Sequence, residues 1–328
     1  MSTSTTELEL CLQGMEQRGV DAMILGREAG ARAVSGVGRL WLTGTRPFAP
    51  SCVVVRESGA VHLLANSNDG YEDFPADHLY SISWNPERML GALQAIDGLA
   101  QARTVGVDGM SPGIHQLLRG LLPDATFVDA GPILADLWRV DSPEKLTAVR
   151  EAAHVARAGL IAMAEGLRDG VRARHLRGIC AETFAEHGVT TPAFEAVAAP
   201  IDGGASTWLP PERLMGSGEH VALRAGALRN GWEASLARTF VIADLPIEQP
   251  PPDDWNEALA LCRPGVPVGK LRDLDTVVYG AGRGVEPYDD DLELEVGMVF
   301  AVELHQGNRL HQDVLHLTEN GPEVLTGG

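Results

Sequence analysis

Around Glu303 the chain gathers three imidazoles, at His305, His311 and His316. Strand alternation would put Glu303 and His305 on one face and would send His311 and Gln312 to opposite faces. A His beside a carboxylate can act as a general base, or the two can serve as a pair of metal ligands. A lone His on a strand can equally be a hydrogen-bonded structural side chain, so both readings stay open for His305. Upstream, Tyr288-Asp289 sets a phenol beside a carboxylate. Such a pair can donate and accept a proton, provided the phenol falls from its usual value of ~10. Asp289, Asp290 and Asp291 also form a charge run, and a solvated acidic loop is the alternative. Trp208, in the Gly- and Pro-rich stretch GGASTWLPPERL, and Trp232, after Gly231, offer aromatic faces for a cation or for apolar packing.

These groups need strands and helices to hold them. From Thr6 to about Val140 the pattern predicts helices near Leu8 to Arg18 and Glu87 to Gln94. It places strands at Ala22 to Leu25, Ser51 to Arg56, Val61 to Leu64 and Thr104 to Val107. Strands separated by helices read as an α/β layer. The stretch Asp141-Ser142-Pro143-Glu144-Lys145 marks a boundary, with Ser142 as a helix cap and Pro143 at the first helical position. We therefore expect domains at 1–140 and 141–328. A second helix is expected near Ala173 to Glu186, stopped at Gly188. Between Thr239 and Gly280 only one clear helix is expected, Trp255 to Cys262, beyond Pro250-Pro251-Pro252.

The chain has 328 residues, 45% of them hydrophobic, enough to bury two ordinary cores. No apolar run approaches the ~20 residues that cross a bilayer, and the first residues lack the basic-then-apolar order of a secretory leader, so a cytoplasmic protein is expected. Twenty-six Lys and Arg stand against 45 Asp and Glu, a formal charge of −19. That field disfavours nucleic acid and anionic membranes. Cys11, Cys52, Cys180 and Cys262 are scattered without a CxxC pair, and read as small buried hydrophobes.

The segment GEHVALRAGALRNGWEASLART, Gly218 to Thr239, resembles the creatinase/aminopeptidase superfamily pattern GDxVxIDxGAxxxGYxSDxTRT. The same family's GHGxGxExHE element resembles Gly280 to Asp289, its GMVFxxE strand resembles Gly297 to Glu303, and its EDTVLVTENG strand resembles Gln312 to Gly321. This resemblance implies an α+β chain: a C-terminal pita-bread domain preceded by a smaller α/β creatinase-like N-terminal domain, which the family uses to form homodimers.

In that family five side chains hold two metal ions. The resemblance places them at Arg224, Ser235, Ala281, Glu303 and Gln312, so that four of the five have lost an anionic or imidazole donor; a shift of one residue would substitute His311 for Gln312. It therefore implies no metal and no other cofactor, since a guanidinium repels a cation and a neutral amide binds it weakly. Arg224 and Glu303 would meet as a charge-assisted pair. Arg224 then either plugs a dead site or holds a ligand carboxylate while Glu303 works as a base.

The resemblance also assigns Tyr288-Asp289 to the family's proton-handling His-Glu pair and sets Trp208 near its upstream substrate His. It makes Arg238-Thr239 a tether and Gly226 a bulge. Three functions follow. The first is metal-independent acid–base catalysis on a small amino-acid-like or amidine-like substrate, of C–N hydrolysis, lyase or rearrangement type. It would be carried by Glu303, Tyr288, Asp289 and His305, with Arg224, Trp208, Ser235, Gln312, Trp232 and His311 around the substrate. The second is a noncatalytic ligand- or protein-binding module, and the third an Xaa-Pro-type metallopeptidase with re-sited ligands.

Overall fold

A computed structural model describes residues 7–37, 50–65, 71, 74–81, 86–139, 143–189, 192–201, 212–229, 231–281 and 288–327. The chain is α+β and divides into two units, Met1–Leu137 and Trp138–Gly328, set against the expected 1–140 and 141–328.

The N-terminal unit contains α1 (Glu7–Gln17), β1 (Ala22–Leu25), α2 (Glu28–Ser35), β2 (Cys52–Val55), β3 (Ala60–Ala65) and β4 (Leu79–Ser81). It continues with α3 (Pro86–Gln94), β5 (Thr104–Asp108), α4 (Pro112–Leu121), β6 (Thr126–Asp129) and α5 (Gly131–Arg139). Its strands form a mixed sheet in the order β4-β3-β2-β1-β5-β6. All four residues of β1 and of β2 are buried, which explains their unbroken apolar runs. The expected strands appear within a residue or two of their predicted ends, whereas α2, α4, α5, β4 and β6 were not anticipated.

The second unit opens with α6 (Pro143–Glu165), β7 (Val171–Arg172), α7 (Ala173–Glu186), β8 (Val197–Pro200), β9 (Leu214–Met215), β10 (His220–Arg229) and β11 (Trp232–Val241). Then come β12 (Ile247–Glu248), α8 (Trp255–Leu261), the single turn α9 (Gly269–Arg272), β13 (Thr276–Gly280), β14 (Val299–Gln306), β15 (Arg309–Thr318) and β16 (Gly321–Val324). Its main sheet runs β13-β14-β15-β11-β10-β8, with β12 on β11 and β16 on β15. Ser142, the expected cap of α6, lies outside the described residues. Helix α7 stops at Gly188, whose φ of 74° is the left-handed geometry that glycine permits.

Two long hairpins carry the site. β10 and β11 pair in unbroken register from His220–Val241 to Arg229–Trp232, and Gly231 turns the chain at φ 86°. β14 and β15 pair from Val299–His316 to Gln306–Arg309. One face of β10 and β11, with Leu223, Ala225, Ala227 and Leu236, is buried with Ala156, Leu160, Leu176, Cys180 and Phe184 of α6 and α7. One face of β14 and β15, with Phe300, Val302, Leu304 and Leu315, is buried with Trp255 and Leu271 of α8 and α9. Each fully buried large side chain of these cores contributes about 1.5–3 kcal/mol of transfer free energy. The alternate residues of the same strands are left to build a site on the other face.

The hairpins meet where Ala237 pairs with Gln312. Arg238 secures that seam, donating from Nη1 to the Gln312 carbonyl at 2.7 Å and from Nη2 to Asp313 Oδ1 at 2.6 Å. The Thr239 hydroxyl donates to the Leu310 carbonyl and accepts from the Leu310 amide. These are the tether contacts expected of Arg238-Thr239. The expectation for Gly226 is corrected: its register against Ser235 shows no bulge, and a Cβ there would sit 2.4 Å from Cε1 of Phe194. Glycine is required for close approach of that ring. All four cysteines are buried and unpaired, with the thiols of Cys11, Cys180 and Cys262 pushed up to about 12 by burial.

Candidate functional site

Arg224 is the inward residue of β10 opposite Ala237, and Glu303 is the inward residue of β14 opposite Gln312. Arg224, 4% exposed, grips both oxygens of Glu303, with Nη2 donating to Oε1 at 2.9 Å and Nη1 to Oε2. A planar fork against a carboxylate is the strongest form of such a pair. Beside it Gln312, fully buried, donates from Nε2 to Ser235 Oγ at 2.7 Å. The sequence-predicted residues Arg224, Glu303, Ser235 and Gln312 are thus brought together at the seam.

His305 follows Glu303 on the same strand face. Burial holds its imidazole below the ordinary value, opposed by the Glu303 charge and reinforced by that of Arg224, so the ring is neutral near pH 7. Its Nε2 is buried with no hydrogen-bond partner among the described residues.

Two site residues were not foreseen. Tyr279 on β13 lies near Ser235; burial first, and then the Glu303 charge, push its phenol up to about 12. Glu233 lies two residues before Ser235 on β11, and burial pushes its carboxyl up to about 7. Glu233 also acts electrostatically on Tyr279, which places both beside the same cluster. The alternation that made Ser235 a candidate could have found Glu233, and a two-residue step back from Ala281 could have found Tyr279.

Other expected site residues lie elsewhere, and each is a correction of placement. Tyr288 packs against the apolar cluster of Trp255, Val268 and Phe300, and its carbonyl accepts from Arg272 Nη2. Asp289 is exposed, in line with the solvated-loop alternative. His311 points to the opposite face from Gln312, as alternation required, and is buried there against Trp255 with ring centroids 4.4 Å apart. Its Nε2 lies 2.9 Å from Asp313 Oδ2, which makes it a structural group behind the site. Trp232 is 7% exposed in an apolar cluster with Val149, Ala152 and Ala281, and Lys145 Nζ lies 5.5 Å from its ring centroid. These are packing contacts. Trp208 lies outside the described residues.

Comparison with known proteins defines the class. Residues 147–278 match the model of metallopeptidase family M24, and residues 8–139 match that of the creatinase/prolidase N-terminal domain. The chain is 25% identical over 125 residues to an Xaa-Pro aminopeptidase of Escherichia coli, a match covering 38% of this chain and 28% of that protein. It is also 25% identical over 156 residues to a methionine aminopeptidase of Staphylococcus epidermidis, covering 44% of this chain and 61% of the relative. These matches span less than two thirds of either relative's length. Among solved structures, a prolidase from Pyrococcus horikoshii superposes with a TM-score of 0.78 at 16% identity over 98% of both chains. A dipeptidase from Mycobacterium ulcerans gives 0.73 at 21% identity, covering 98% of this chain and 95% of the other. The chain belongs to the creatinase/aminopeptidase P/prolidase superfamily of pita-bread proteins.

The family implies a dinuclear metal centre, and the donors do not fit one. Arg224 occupies the first ligand position as a buried cation that engages both oxygens of Glu303, the surviving carboxylate. Ala281 stands in an apolar cluster, and Ser235 and Gln312 are neutral groups bonded to each other. Among the described residues no three His, Cys, Asp or Glu converge as a metal-holding group. Hard or borderline dications need such converging anions or imidazoles.

Proposed function

We propose that the chain is a metal-independent enzyme that acts by proton transfer on a small amino-acid-like substrate, cleaving or rearranging a C–N bond. The observation that carries this reading is the Arg224–Glu303 fork, which replaces the family's metal-binding charge by a neutral pair made of ionisable members. A substrate carboxylate that takes one arm of Arg224 would release one oxygen of Glu303 to accept a proton. His305, neutral and on the same strand face, supplies the second proton acceptor. Ser235 and Gln312 contribute uncharged contacts to the bound molecule.

A noncatalytic binding module is the second reading. It is favoured by one feature: Arg224 engages both oxygens of Glu303, which closes the site on itself. The re-sited metallopeptidase is disfavoured by the donor set.

The test is a chelator-treated assay with Xaa-Pro dipeptides, amino-acid amides and amidino acids, followed by mass spectrometry. Product that persists after chelation and disappears in Glu303→Gln supports the enzyme. Turnover only after added manganese, cobalt or zinc overturns metal independence, and no turnover of any compound favours the binding module.

A further inference from the structure

The edge strand of the N-terminal sheet begins beside a pair of imidazoles. β3 and β4 run parallel, with Leu63 opposite Leu79, Leu64 opposite Tyr80 and Ala65 opposite Ser81, and β4 is the outermost described strand. One residue ahead of the first pair stand His62 and His78, whose ring centroids lie 4.3 Å apart with a tilt of 43°. Tyr80 flanks His62, with its Oη 3.5 Å from Nδ1. His62 is 4% exposed, whereas His78 and the three residues of β4 are half-buried or exposed.

The buried ring has no place for a second proton. Its Nε2 is enclosed without a hydrogen-bond partner among the described residues. A neutral imidazole carries one N–H and an imidazolium two. Whichever nitrogen holds the first proton, the charged ring would present an Nε2–H with no acceptor, 4.3 Å from a second titrating ring. Burial first, and the His78 charge second, hold His62 below its ordinary 6.5, while Asp77 of the 3₁₀ turn Ala76–His78 and Asp97 beyond α3 oppose them. Both carboxylates are exposed, so solvent screens their effect. The neighbouring elements bring no other charge: Val53 of β2 lies opposite His62, and Met89 and Leu93 of α3 are buried with it. The Tyr80 phenol, raised by its own burial, stays neutral through this range.

We propose that His62 and His78 form an acid-sensitive clasp: protonation of His62 drives the two rings apart and frees β4, with its 3₁₀ turn, from β3. The Leu63–Leu79 rung adjoins both rings and is the first to be lost. An opened β4 leaves β3 as the sheet edge, with unpaired N–H and C=O groups that accept an added strand. The hold is complete above 6.5 and is lost as pH falls below it, because the opened segment binds a proton that the closed one refuses. The clasp is independent of the reading of Arg224 and Glu303.

Hydrogen–deuterium exchange of the full chain tests it, read by mass spectrometry at about pH 7.5 and about pH 5.5 and corrected for intrinsic exchange rates. Protection of the peptide spanning 76–81 should fall by about threefold or more at the lower pH, while β5 keeps its protection. His62→Phe retains a buried ring without the titrating nitrogens and should abolish that loss. His78→Gln, at the half-buried partner, should diminish it by removing the facing charge, and it decides the matter where His62→Phe does not fold. Circular dichroism at both pH values checks the fold of each variant.

Equal protection of 76–81 at the two pH values, a loss that β5 shares in full, or an undiminished loss in either folded variant overturns the clasp.

Discussion

Glu303 and Gln312 lie directly opposite one another on β14 and β15, and each is held by a side chain from the other hairpin, Glu303 by Arg224 and Gln312 by Ser235. Two polar bonds therefore cross the seam side by side, at the place where relatives of this chain assemble metal ligands.

The first prediction concerns the ion pair. Arg224→Ala leaves a mostly buried carboxylate without its cation and should destabilise the chain by about 3–5 kcal/mol. Arg224→Met combined with Glu303→Leu removes both charges at similar volume and should stay within about 1–2 kcal/mol of the parent. Urea unfolding of the three proteins decides it. A single variant as stable as the parent would show that the pair is not desolvated in solution.

Metal content gives the second. Protein dialysed against manganese, cobalt or zinc and then desalted should carry well below one ion per chain by mass spectrometry. Replacing Arg224 and Ser235 by Asp, Ala281 by His and Gln312 by Glu restores the family's donor types beside Glu303, and this variant should retain metal. Stoichiometric metal in the parent would contradict the donor argument.

The third concerns pH. Burial raises the Glu233 carboxyl to about 7 from a reference near 4.5, so the folded state holds a proton that the unfolded chain has released. The stability it contributes is complete below the unfolded value and is lost as pH climbs from about 4.5 through 7. The span of that loss is on the order of 3 kcal/mol. Glu233→Gln should flatten the decline, read as urea midpoints across that range. Parallel profiles for parent and variant would refute the assignment.

Asp313 behaves in the opposite sense. Burial alone would raise its carboxyl, but the His311 hydrogen bond and the Arg238 charge outweigh this and hold it below the usual 3.8. Its stabilisation is present above that value and is lost as pH falls through the lowered one. Asp313→Asn should cost about 3–5 kcal/mol by stranding Arg238. It should also make the acid limb of the stability profile shallower.

Gly226 supplies the last. Gly226→Ala drives a methyl into the Phe194 ring, 2.4 Å from Cε1, and should cost about 1–3 kcal/mol. Adding Phe194→Val should recover part of that loss in thermal unfolding. Additive effects would mean that the two sites do not touch.

The strands and helices that carry apolar patterning were legible in the sequence, including α7 and β1 to the residue. The amphipathic α2, α4 and α5 were passed over, and the one-turn α9 is too short for any periodic signal. At the site, the meeting of Arg224, Glu303, Ser235 and Gln312 followed from aligned motifs and alternation. Tyr288 and Asp289 were misplaced because motif correspondence fixes sequence position but not which way a connecting segment directs its side chains. Gly226 was misread because a bulge and a close aromatic approach both demand glycine, and only three-dimensional contact with Phe194 separates them. Glu233 was missed because it matches no family ligand, although it shares a face with Ser235.

The β10–β11 and β14–β15 hairpins share one register pair, and Arg224 and Gln312 clamp them on the inward side. Where relatives would hinge such a joint on exchangeable ions, this chain carries covalently attached fasteners that no chelator can strip. Its two half-domains should stay latched in metal-poor surroundings.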